Sequence, residues 1–211
     1  MSFSLNEVEA LCRKAARGAG MTWGLAEEAG RAVRWLQAHG IAGAAALADL
    51  LQAQDGRDLA GMTPGTHGVW KAPAGVLCPI ITGTAICDRA QGFAQGQALT
   101  LGPTRAPILL APFAAMVSAV LNSPVRLRWD GVDCLCTADS FASKGDTGTA
   151  QTDRIEMAPT DQTPTATTTR TRADIPPGVY HRLSTFAART YAPATEASRI
   201  AGAGAGLTDN D

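Results

Sequence analysis

Lysine is almost missing from this chain: Lys14, Lys71 and Lys144 are its three, and arginine carries the rest of the positive charge. With a net charge of −1 and no basic stripe, it lacks the counter-charge that dominates phosphate affinity, so nucleic acid is not an expected partner. Long apolar runs are also scarce. The longest, residues 106–121, is broken by Pro107 and Pro112 and falls short of a membrane span. The opening MSFSLNEVEAL lacks the basic and apolar regions of a signal peptide, so a cytoplasmic protein without a membrane partner is expected. The five cysteines, at 12, 78, 87, 134 and 136, form an odd set without CxxC spacing, which fits reduced thiols better than a disulfide framework. Aromatic residues make up only 5% of the chain. Alanine supplies much of the apolar content and buries little area per residue, so close packing or subunit contacts must supply the remainder, and a homo-oligomer is expected.

What is present has a clear order. Ser4 and Glu7 form a capping box ahead of a helical stripe that Gly18 and Gly20 end. A second helix starts after Thr22 and runs to Gly40, with Leu25, Ala29, Ala32, Val33 and Leu36 on one apolar face. His39 falls at its negative end. A third covers about 44–53, and a long Gly/Pro/Thr loop follows over 55–75. Pro79 opens a buried helix, and residues 98–101 and 107–110 read as short strands. Pro112 then begins a helix that reaches Asn122. Residues 125–129 and 132–138, joined by Asp130-Gly131, make a hairpin with Trp129 on its apolar face. Further strands are expected near 154–157 and 167–172, and a last helix over 179–191. The expected fold is α+β: an N-terminal helical layer packed on a small, mostly antiparallel sheet, with a C-terminal helix and a glycine-rich tail. Residues 1–200 read as one domain, with 1–54 the helical layer and 97–172 the sheet-rich part, and 201–211 as the tail.

The pairing of GLAEEAGRAVRWLQAHG with the ending RTYAPATEASRIAGAGAGLTDND resembles an uncharacterised bacterial family known only as a domain of unknown function, along the whole chain. The resemblance implies a bacterial protein and assigns no activity or catalytic residue. The Thr-rich stretch 145–171 stands apart as a local embellishment.

Chemistry concentrates on the polar face of the second helix. Glu27, Arg31 and Arg34 form a charge line with Glu28 and Trp35 beside it and Trp23 at the helix start. Two carboxylates beside arginines would bind an amino acid or organic acid, or do acid-base work if burial raised one pKa; the plain alternative is a solvated helix face. Arg31, Arg34, Trp35, Trp23 and, from the tail, Asp209 are the expected ligand-binding residues. Glu27, Glu28 and His67, which shares its loop with Thr66, Trp70 and Lys71, are the candidate catalytic groups. Cys78 before Pro79 is either a nucleophile at a helix start or an inert core thiol, and Cys134 with Cys136 either a soft-metal pair or core packing. No metal and no organic cofactor is expected. The function expected is binding of a small polar or carboxylate-bearing molecule in small-molecule metabolism, with acid-base catalysis as an extension. The alternative is an accessory or assembly subunit of a partner enzyme.

Overall fold

The computed structural model describes residues 1–95, 97–165 and 168–191. Strand β1 (Ser2–Ser4) leads into α1 (Leu5–Gly18) through the expected capping box: the Ser4 hydroxyl accepts from the Glu7 N–H at 3.3 Å, and the Glu7 carboxylate accepts from the Ser4 N–H at 2.7 Å. Helix α2 (Trp23–Ala38) begins where the Thr22 hydroxyl accepts from the Leu25 N–H. It lies along α1, and Gly30 allows the approach, since a Cβ there would come within 2.9 Å of the Glu9 carbonyl oxygen. Helix α3 (Gly43–Gln54) and α4 (Pro79–Asp88) complete this region, with the long loop between them tightening into a 3-10 turn at Ala60–Met62. Pro79 stands in the first turn of α4, where its missing N–H costs nothing.

After a second 3-10 turn, Ala90–Gln95, come β2 (Leu99–Leu101) and β3 (Thr104–Arg105). Residues 107–110 do not form the expected strand; Pro107–Leu110 is a third 3-10 turn. All four are buried, which leaves no alternation for a half-buried strand to use, and Ala106 enters the turn with a left-handed φ of 39° fixed by its N–H bond to the Ala150 carbonyl. Helix α5 (Ala111–Leu121) follows, then the hairpin β4 (Val125–Trp129) and β5 (Val132–Cys136). Its turn residues Asp130 and Gly131 both have positive φ, as a tight two-residue hairpin turn requires.

Strand β6 (Phe141–Lys144) precedes the Thr-rich stretch, which contains β7 (Gln151–Thr152) and β8 (Ile155–Pro159). The strand expected at 167–172 is displaced: β9 is Arg172–Asp174, because the groups it pairs with are those of β1, with Phe3 opposite Ala173. The last helix, α6, is Pro177–Ala188.

Strands in the order β2-β8-β4-β5-β6 form one antiparallel sheet. Alternate residues such as Leu127, Cys134 and Met157 are buried on its inner face, while Arg126, Arg128 and Glu156 face outward. Helix α5 is the element that lies on β4 and β5, and it also touches α2, so the N-terminal helices meet the sheet largely through α5. On the far side α1 lies between α2 and α6. Buried side chains from Val8 to Ala187 make one connected core.

Candidate functional site

Arg31, Arg34, Trp35, Ala38 and His39 recur at helical spacing and share one side of α2. An open cleft of about 690 Å³ lies against them. Leu5 and Glu9 of α1 form one wall; Ala138 and Asp139, in the turn between β5 and β6, and Thr169 and Arg170, ahead of β9, form the other. The cleft thus sits where the helical layer, the sheet and the β9 approach meet. A smaller recess of about 150 Å³ between α3 and residues 147–150 is walled mostly by alanine and isoleucine. Its one charged group, Asp49, is held by Arg182.

The aromatic groups at the cleft pack on one another. The Trp35 and His39 rings lie 4.1 Å apart between centroids, and Phe141 meets Trp35 edge-on at 5.3 Å. His39 Nδ1 is 2.8 Å from the Trp35 carbonyl oxygen. A carbonyl only accepts, so Nδ1 carries a hydrogen. Nε2 is closed off from solvent and has no partner among the described residues. The ring therefore serves as a stacked support for Trp35, turned away from proton exchange with the cleft.

The charges divide into two kinds. Arg31 is held by Glu28 at 2.8 Å and Glu27 at 3.9 Å, and Arg34 by Glu9 of α1 at 3.0 Å. Arg170 has no carboxylate partner among the described residues, and Asp139 no cationic one. Arg170 is nevertheless fixed: its N–H donates to the Ala38 carbonyl at 2.8 Å, and its guanidinium rests over Gly40, where a Cβ would come within 3.2 Å of it. Asp139 stands in a turn closed by the Thr137 N–H donating to the Ser140 carbonyl at 2.9 Å and by the Ser140 N–H donating to the Thr137 hydroxyl.

Of the residues singled out from sequence, Arg31, Arg34 and Trp35 line this cleft, with Glu28 and Glu27 bound to its rim arginine. His67 lies exposed on the loop after α3 and is not among the lining residues; its neighbour Trp70 is a core residue, hydrogen-bonded along the edge of β2 through Thr100 and Gly102. Trp23 is 66% exposed on a different surface, 5.0 Å beneath the Arg17 guanidinium. Asp209 lies outside the described residues. Sequence reasoning did not single out Glu9, Asp139 or Arg170 for the site. Glu9 meets Arg34 from the neighbouring helix, and the other two reach the α2 face from a hundred or more residues further along the chain.

Burial raises all five thiols above their ordinary range. Burial pushes Cys12 and Cys134 up to about 12, and Cys136 well above the usual thiol range. Cys78 does occupy the N-cap of α4, yet its burial outweighs the N–H groups of Ile81 and Ile80 and raises it too. Cys87 is pushed up to about 12 by burial and by the nearby charge of Glu28. No group of three or more His, Cys, Asp or Glu side chains among the described residues is placed to hold a metal. None of their helices is long and apolar enough to cross a membrane.

Fold and site together define an α+β protein with an open, charge-lined cleft on one helix face. Residues 3–78 match the family described as Protein of unknown function (DUF3726). That stretch carries α1 to α3 and the cleft residues from Leu5 to His39; Asp139, Arg170 and the sheet lie beyond it. The whole-chain resemblance is thus corrected to the first part of the chain. No curated protein and no solved structure matched.

Proposed function

We propose that the cleft binds a small carboxylate-bearing molecule, and that the protein is a cytoplasmic bacterial component of small-molecule metabolism. The observation that carries this reading is Arg170: a guanidinium without a carboxylate partner among the described residues, on a backbone held by Ala38, in a cleft whose other arginines are already paired. A guanidinium offers a planar fork that a carboxylate meets with two hydrogen bonds. Trp35 and Leu5 supply an apolar wall for the body of the ligand. Binding is favoured over acid-base catalysis, since Glu27 and Glu28 are both engaged by Arg31 and His39 Nε2 faces away from solvent.

Calorimetry with benzoate, 3-phenylpropionate and succinate, each beside its amide, tests the proposal. At least one carboxylate should bind at least tenfold more tightly than its amide, and Arg170→Gln should weaken it by roughly 10–100-fold, the worth of a charge-assisted hydrogen bond. Equal binding of acids and amides, or an Arg170→Gln chain that binds as before, overturns it.

The expectation of a homo-oligomer has one observation in its favour, at another place. Helix α5 has no charged residue, and Met116 and Val120, one turn apart, are 48% and 52% exposed. Self-association through this face would satisfy the expectation of a homo-oligomer. Sedimentation velocity should then show a Met116→Lys/Val120→Lys chain as a smaller species than the wild type, and unchanged sedimentation counts against the contact.

A further inference from the structure

We infer that the ligand of this cleft is a zwitterion of the α-amino-acid type, its carboxylate on Arg170 and its ammonium on Asp139. This rests on the carboxylate reading above and adds the second charge. With Arg31 paired to Glu28 and Glu27, and Arg34 to Glu9, the described residues lining the cleft leave one unpaired cation, Arg170, and one unpaired anion, Asp139. The two do not pair with each other, and they come from separate elements, each tied down by its own backbone bonds. A simple carboxylate would satisfy Arg170 but bring a second negative charge into the cleft with Asp139. A dicarboxylate would be opposed more strongly. An ammonium on the same molecule turns that repulsion into attraction. The neutral wall of Leu5, Trp35 and Ala38 favours an apolar side chain.

The test uses the full chain and matched probes: L-leucine against 4-methylpentanoate, and L-phenylalanine against 3-phenylpropionate, titrated calorimetrically into wild type and Asp139→Asn. In the wild type each amino acid should bind at least tenfold more tightly than its deaminated partner. In Asp139→Asn that preference should vanish, with the deaminated acids binding as well as before or better. Asp139 is exposed in a turn, so an unchanged Tm shows that the variant is folded. Deaminated acids that bind as tightly as the amino acids in wild type overturn the zwitterion and leave the carboxylate reading standing. A preference that survives Asp139→Asn removes Asp139 from the role. Failure of all four probes, together with failure of the benzoate and succinate series, overturns the carboxylate reading itself.

Discussion

A Gly18→Ala chain should be less stable than the wild type by about 3 kcal/mol, roughly 6–12 °C in Tm. By helix propensity alone the substitution would be favourable, alanine exceeding glycine by about 1 kcal/mol in a helix interior. The packing reverses that sign. A Cβ on Gly18 would lie 1.8 Å from the Phe186 carbonyl oxygen and 2.8 Å from its carbon. Those are backbone atoms near the end of α6, and the carbonyl already accepts from the Arg189 N–H at 3.1 Å. Relief requires α1 and α6 to separate, which would open the contact that buries Ala15 and Leu183. Gly24→Ala provides the contrast, since nothing lies within 4 Å of a Cβ there and the same exchange should stabilise by up to about 1 kcal/mol. Urea denaturation of both chains decides the matter; equal stabilisation by the two substitutions would sink the argument.

Gly83→Ala should cost a similar amount, about 3 kcal/mol, for a different reason. Its Cβ would fall 2.2, 2.4 and 2.6 Å from three ring atoms of Phe113. That ring is 2% exposed at the junction of α4 and α5, so it cannot swing into solvent. The clash is with a side chain, which makes it correctable. Phe113→Leu alone should destabilise by leaving a void, and combined with Gly83→Ala the two costs should fall short of their sum by more than 1 kcal/mol. Strict additivity in a double-mutant cycle would show that the glycine is required for something other than this ring.

Signals confined to a few neighbouring residues were legible. Ser4 with Glu7, Thr22, Pro79 and Asp130-Gly131 each placed an element end where it lies, because a cap or tight turn is decided by its own residues. Pro107–Leu110 was misread because the left-handed Ala106 that turns it depends on Ala150. Strands β1, β3, β7 and β9 have too few positions to show a period and exist through their partners, whereas the equally short β2 still shows its Leu-Thr-Leu alternation. The site divided the same way. The α2 side of the cleft was readable as a charge line, but Arg34 finds its carboxylate on α1, 25 residues away, instead of on its own helix. Asp139 and Arg170 carry no local mark that separates them from any other surface charge.

The seat of α1 between α2 and α6 has a consequence for the order in which the chain can mature on the ribosome. Helix α1 is made well before α6, yet one of its packing surfaces belongs to residues 177–188. At roughly 5–20 residues per second, about ten to thirty seconds pass before that helix is made. Until then the nascent α1 can engage α2 but not α6, so part of its apolar surface stays open while the intervening sheet is made, and a chaperone that holds such surfaces has its opportunity in that interval.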